Sequence, residues 1–364
     1  MRAIVVGAGI VGAAVAFHLA RTGVRVKVVE RDRPAEGTTA TSFARLSAFD
    51  KEPEAYFRLN YAGMREHTHL ATALPDAGWY HRCGSLIWES GDGLLSERVA
   101  RFERWGYPLR WREPAELAAG LVPPSVRRVL HVPEEGWVDA PALARSLLAE
   151  AQRQRAQVVL GEPVTGLARS AGGGWQVVLG SGRQLSGNVV VNAAGAAAGQ
   201  VAALAGIRLD LVPSRGLLAD LAVNGADITQ TVHTDKVSVR PAGPGRVMVR
   251  ADQVDRRLGA EPDAARETLC QDLVHLARAA VPGLRDATVI GARTGVRVIP
   301  KGGYPSVGGV SDVPGYYQAA THSGVILAPL IGRLLAGEIT HGHVHELLVP
   351  YRPTSAGREQ PLER

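Results

Sequence analysis

The sequence predicts an α/β fold in which a dinucleotide-binding domain is interrupted by a sheet-rich second domain. Three observations carry this expectation. A short apolar run at residues 3–6 leads into Gly7-x-Gly9-x-x-Gly12, followed by a helical pattern and a second apolar run at 24–29 that ends in Glu30. Far downstream, an apolar strand at 189–191 meets the small-residue stretch Asn192-Ala-Ala-Gly195. From Val212 the period changes and short strands dominate.

Each part of the first segment has a chemical reason. Gly7 permits a tight strand-to-helix turn, Gly9 lets backbone approach a pyrophosphate, and Gly12 lets helix and strand pack closely. The N–H groups and positive end of the helix attract phosphate. Glu30 falls where an acid holds the ribose hydroxyls. Residues 4–20 are too short, and too broken by glycines and His18, to span a bilayer or serve as an export signal.

The remaining elements follow from pattern. A Gly/Thr/Ser-rich loop occupies residues 36–42, and helical spacing covers 53–72 and 93–105, with a short helix at 113–118. Asp139 is placed as an N-cap with Pro141 in the first turn of a helix reaching about residue 155. Strands are expected at 157–160, 163–168, 175–179 and 189–191, then a small-residue helix to about 205. Strands at 215–221, 236–240 and 246–250 follow, the last two as a hairpin around Pro241-Ala-Gly-Pro-Gly245. An amphipathic helix at 262–281 stops at Pro282-Gly283, a long strand covers 287–298, and a last helix runs from about 323 to 336. Residues 1–48, 138–208 and 290–350 are assigned to the nucleotide domain, 49–137 and 209–289 to the second, and 351–364 to a frayed tail.

Composition narrows the class. The 364 residues are 46% hydrophobic and 21% charged, ordinary for a globular protein of roughly two domains. Cys83 and Cys270 have no partner pattern, so neither a disulfide framework nor a zinc site is expected and a cytoplasmic setting fits. The net charge of +6 comes from scattered arginines, with no basic stripe that would argue for nucleic acid. His341-x-His343-x-His345 lacks an acidic or cysteine partner, and no metal is assigned.

Together these landmarks resemble the FAD-dependent amino-acid and amine oxidases, the group of D-amino-acid oxidase, glycine oxidase and sarcosine oxidase. The opening segment, Gly136-Trp-Val-Asp-Ala-Pro141, Val190-Val-Asn-Ala-Ala-Gly195 and Thr321-His-Ser-Gly-Val-Ile-Leu-Ala-Pro329 match in order over nearly the whole chain. The resemblance implies a Rossmann-type FAD-binding domain interleaved with an antiparallel-sheet substrate-binding domain. It assigns FAD contacts to Gly7, Gly9, Ile10, Val11, Gly12, Glu30, Arg31, Thr38, Thr39, Ser42, Arg45, Val164, Ala194 and Gly195. His322, Ser323, Gly324, Val325 and Ile326 belong to the same set, because the last helix points its positive end at the flavin of relatives. The strand bearing Arg297 has no cysteine, so FAD is expected to be noncovalent.

Substrate contacts are sought on the strand at 287–298. Period-two alternation puts Val289, Gly291, Arg293, Gly295 and Arg297 on one face, with the two glycines leaving room for a small anion. By resemblance Arg297 pairs with the substrate carboxylate, with Arg293 beside it and Arg240 and Arg250 as fallback partners. Met248 stands where some relatives carry an oxygen-activating lysine, and the tyrosine often found near Val237 is absent.

The implied activity is oxidation of the Cα–N bond of a small amino acid or N-substituted glycine. Hydride passes to flavin N5, the imine hydrolyses to an oxo acid and an amine, and O2 reoxidises the flavin to give hydrogen peroxide. A D-amino-acid dehydrogenase passing electrons to a quinone or carrier stays open as an alternative, as does a nicotinamide-dependent dehydrogenase. The partners implied are a small carboxylated amine and an electron acceptor, with neither nucleic acid nor an integral membrane segment. A homo-oligomer is compatible.

Overall fold

A computed structural model describes residues 1–89, 93–258 and 266–353. The mixed α/β architecture is built on two large sheets. The first has six strands in the order Ser306–Gly309, Tyr316–Ala320, Val189–Asn192, Arg2–Val6, Arg25–Val29 and Gln157–Val159. Its strands are parallel except the edge strand Ser306–Gly309. Burial on both faces explains their near-continuous apolar character. Helix Ile10–Arg21 packs on this sheet between helices Ala140–Arg153 and Gly324–His341. Helix Gly324–His341 is long and apolar enough to cross a membrane by length and composition, yet most of its residues are buried in this core.

The second sheet has eight strands, in the order Thr288–Val296, Arg215–Ala222, Arg246–Arg250, Ser238–Pro241, Thr231–Thr234, Ser85–Trp88, Val129–Val132 and Arg110–Arg112. All neighbours are antiparallel except Thr231–Thr234 against Ser85–Trp88. The two faces differ as a half-buried antiparallel sheet requires. Leu217, Ala219, Leu221, Val247 and Val249 pack into a core with Leu269, Leu273 and Ala277 of helix Arg266–Ala280. Gly216, Leu218 and Asp220 face the other way, toward the segment at 38–45.

Several expectations are corrected. The expected helix at 113–118 is a single 3-10 turn, Pro114–Glu116. Strands Gln184–Gly187, Ser306–Gly309 and Tyr316–Ala320 add to the expected set; Ser-Val-Gly-Gly carries a single β-branched residue, and its pairing with Tyr316–Ala320 supplies what propensity does not. The last helix continues to His341 and ends on Gly342 in the left-handed conformation (φ 71°). Residue 290, taken as a domain crossing, sits inside strand Thr288–Val296 of the eight-stranded sheet. The expected start of a helix at residue 262 lies outside the described residues, and helix Arg266–Ala280 accounts for the rest of that span. Tyr351 is buried and Arg352 pairs with Glu338 at 2.6 Å, so the fraying expected from residue 351 does not begin there; residues 354–364 lie outside the described residues.

Candidate active site

Strand Arg2–Val6 ends in a turn that only glycine tolerates at two positions. Gly7 has φ 103°, and a Cβ on it would meet the Ala193 carbonyl oxygen at 2.5 Å. A Cβ on Gly12 would lie 2.0 Å from the Gly7 carbonyl oxygen, so helix Ile10–Arg21 can start this close to the strand only without a side chain there. Gly9 caps that helix and offers no side chain to its N–H groups, while the Ile10 N–H donates to Thr39 Oγ1 at 3.0 Å. Glu30 accepts from the backbone N–H of Ala8 (2.8 Å) and of Asp32 (3.0 Å), which fixes its carboxylate at the end of the second strand.

Two cavities flank this turn. One, of about 210 Å³, is lined by Gly7, Glu30, Arg31, Val164 and Ala194. The other, of about 350 Å³, extends from Gly9, Ile10 and Val11 past Thr38, Thr39, Ser42 and Arg45 to the eight-stranded sheet. Gly195, His322, Ser323, Gly324, Val325, Ile326 and Arg297 line the same cavity. Gly12 supports the turn from below. The starts of both helices, Ile10–Arg21 and Gly324–His341, therefore open into one space, an arrangement suited to a ligand with negative charge at two places.

The donor set fits FAD. Arg45 Nε, Arg250 Nε and Thr321 Oγ1 are buried without a protein partner, and all three residues line the larger cavity. Ser323 does not cap its own helix; its Oγ bonds the Tyr56 hydroxyl (2.8 Å) and accepts from Lys51 Nζ (3.2 Å). With FAD bound, Glu30 would hold ribose hydroxyls, the Gly9 turn would meet the pyrophosphate, and the 322–326 segment would lie against the flavin ring.

The loop at 37–47 forms one wall and is held in three ways. Thr38 Oγ1 donates to the Val296 carbonyl at 2.8 Å, and Arg240 Nε donates to the Phe43 carbonyl at 2.5 Å. Glu135, fully buried, accepts from Arg45 (2.8 Å), Ser47 (2.6 Å) and Tyr107 (2.8 Å). Burial foremost, with the Glu135 charge next, pushes the Tyr107 phenol well above its ordinary range, so it stays a donor. Breaking a buried charge pair costs about 3–5 kcal/mol. Glu135→Leu is therefore expected to lower the thermal midpoint of the holoprotein by several degrees or more, measured by calorimetry, and to loosen the flavin.

At the sheet end, Arg250 and Arg297 share the buried Asp255. Arg297 Nη2 bonds Asp255 Oδ2, Arg250 Nη2 lies 3.4 Å from the same oxygen, and Asp255 Oδ1 accepts from the Leu217 N–H at 2.8 Å. The Arg297 guanidinium lies over Gly216, where a Cβ would meet its Nη2 at 2.8 Å. Arg250 also pairs with the exposed Asp252. The two guanidiniums are thus matched by two carboxylates, of which only Asp255 is buried. His322 is lowered to about 4, by burial first and then by Lys51, Arg297 and Arg250, so it is a neutral neighbour at physiological pH. His233 is likewise pushed well down by burial.

The other candidate substrate residues are placed elsewhere. Arg293, Arg240 and Met248 share the sheet face with Arg297 but line a separate cavity of about 460 Å³ on the far side of the loop. Arg293 pairs with Asp220 at 2.7 Å and touches Met248 sulfur. Arg240 stacks over Trp137 (4.4 Å) and is lowered to about 10, by burial and then by Arg293, so it stays charged. The room expected beside Gly295 is filled: a Cβ there would lie 2.0 Å from Thr41 Oγ1. A register irregularity at Ile290 takes Val289 off the expected face, opposite Leu221. Arg31 is exposed and pairs with Asp32. Among the described residues no group of His, Cys, Asp or Glu is placed to hold a metal, and the His345 side chain caps Leu347 N.

Sequence reasoning passed over Lys51, Asp255, Glu135 and His233, each brought in by long-range packing. Only the unusual run Asp50-Lys51-Glu52-Pro53 beyond the loop offered a local signal.

The profile of the family DAO, FAD dependent oxidoreductase, matches residues 2–338. The chain is 27% identical to YurR, an uncharacterised oxidoreductase of Bacillus subtilis (strain 168), over 97% of this chain and 98% of that one. It is 24% identical to glycine oxidase of Geobacillus kaustophilus (strain HTA426), over 96% of each chain. The crystal structure of glycine oxidase from that species superposes with a TM-score of 0.84, covering 98% and 100% of the two chains at 21% identity. Iminodiacetate oxidase from Chelativorans sp. BNC1 superposes with a TM-score of 0.83 at 25% identity, covering 98% and 100%.

Proposed function

We propose that this chain, which belongs to the family of FAD-dependent oxidoreductases, oxidises the Cα–N bond of a small carboxylated amine, an amino acid or an N-substituted glycine. The observation that carries the reading is the position of two guanidiniums, Arg250 and Arg297, held by the buried Asp255 on the wall of the cavity that also includes the Gly9 turn. FAD supplies, when bound, the two-electron acceptor for hydride from the substrate carbon.

The protein's part is binding and positioning. Asp255 holds Arg297 against Gly216 before any ligand arrives, so a carboxylate meets a guanidinium already oriented. The neutral His322 can exchange hydrogen bonds without adding charge beside the amine. An amine bound uncharged needs no strong protein base, and water completes the reaction by hydrolysing the imine to an oxo acid. Two relatives, by name oxidases of glycine and of iminodiacetate, act on amines with a carboxylate one carbon from nitrogen, which supports this class.

Turnover in air is the test. One oxo acid and one amine or ammonia should form per substrate consumed, and hydrogen peroxide in equal amount would make O2 the acceptor. Peroxide-free turnover that requires a quinone or dye would favour the dehydrogenase variant. Turnover of simple amines lacking a carboxylate, at rates equal to glycine or sarcosine, would refute the reading.

A further inference from the structure

The larger cavity contains a cation that the carboxylate anchor does not use. Lys51 follows the loop at 37–47 and lines the cavity opposite the sheet. Its Nζ donates to Ser323 Oγ at 3.2 Å and lies 5.8 Å from the Tyr56 ring centroid; among the described residues it has no carboxylate within 4.0 Å. Among the described residues the other charged side chains on the wall have charged partners. Arg45 is held by Glu135 at 2.8 Å, Asp50 by Arg98 at 3.5 Å, and Arg250 and Arg297 share Asp255.

The cavity thus holds cationic groups at two separate places, the arginine pair beside Asp255 and Lys51, and of these Lys51 is the one with no carboxylate within reach among the described residues. A glycine anchored through its one carboxylate at Arg297 leaves Lys51 without an anionic partner. Resting on the function proposed above, we infer that the substrate carries a second carboxylate that binds Lys51, so that the enzyme acts on a dicarboxylic amine, either an N-carboxyalkyl amino acid or an acidic amino acid. A charge buried without a partner is costly, and a ligand that supplies the partner recovers that cost on binding.

The surroundings of Lys51 agree with this. Burial first, then Arg45, push its ammonium down to about 8, with Arg250 acting the same way and Asp50 and Glu135 opposing. Tyr56 and Ser323 contact it as neutral groups, and His322 and His233 feel its charge. A bound carboxylate favours the charged form, so the second carboxylate should lose its hold as pH rises past about 8.

The test compares kcat/KM of the holoenzyme for glycine and sarcosine with that for iminodiacetate and for D- and L-aspartate and glutamate. Wild type should favour at least one diacid over its monoacid counterpart by about ten- to a hundredfold, the range of a charge-assisted hydrogen bond. In Lys51→Met that ratio should fall to near one, and in Lys51→Arg much of it should return. The KM for the diacid should climb above pH 8 while the monoacid KM does not follow. Flavin content and thermal midpoint of each variant report whether the fold is intact. Equal rates for monoacids and diacids in wild type, or equal losses for both classes in Lys51→Met, would overturn the inference while leaving the proposed function standing. Failure of every carboxylated amine to reduce the flavin would instead remove the function on which it rests.

Discussion

Arg297→Ala should lower kcat/KM for carboxylated amines by roughly two to three orders of magnitude, the scale of removing one partner from a buried charge pair. FAD should remain bound, because neither the Gly7–Gly12 turn nor the Glu30 carboxylate is held by the Arg297 side chain. The loss should appear mainly as raised KM if the guanidinium only holds the carboxylate, and in kcat as well if it also sets the angle of the Cα–H bond. The variant should still fold: Asp255 retains Arg250 and the Leu217 N–H. Arg297→Lys should recover only part of the activity, since an ammonium cannot present two parallel donors to Asp255 and substrate. Unchanged turnover by Arg297→Ala would refute the anchor.

Gly12→Val should abolish flavin binding. The added Cβ falls 2.0 Å from the Gly7 carbonyl oxygen, backbone that cannot step aside while the Gly7 Cα is itself wedged against Ala193. Overpacking of this kind costs about 1–3 kcal/mol where the surroundings yield, and here they are two crossed backbones. The purified variant should be colourless or nearly so, with FAD affinity reduced at least about a hundredfold on that scale. Gly23→Ala is the comparison. Gly23 also has a positive φ (81°), but nothing lies within 4 Å of its Cβ position, so only a backbone penalty of about 1 kcal/mol applies and the flavin should stay. The flavin-to-protein absorbance ratio separates the two.

How much was legible in the sequence depends on how local the cause is. The Gly7–Gly12 turn and the Asp139 cap are set largely by neighbours in the chain, and their residues announce them. Period-two alternation correctly put Arg293, Gly295 and Arg297 on one sheet face, yet alternation cannot say what lies over that face. The loop at 37–47 crosses it, Thr41 fills the gap at Gly295, and Arg293, Arg240 and Met248 end in a different cavity from Arg297. Asp255 and Glu135 acquire their roles through partners 42 and 90 residues away in the chain, a relation no spacing rule encodes. Lys51 likewise matters because of Ser323, 272 residues downstream.

Anaerobic mixing of the yellow holoprotein with a carboxylated amine measures the central claim most directly. The oxidised-flavin band should bleach in a single phase that saturates with substrate, and the matching amide, lacking the negative charge, should bleach it far more slowly. A colourless protein, or a flavin reduced by a nicotinamide coenzyme and by no carboxylated amine, would contradict it.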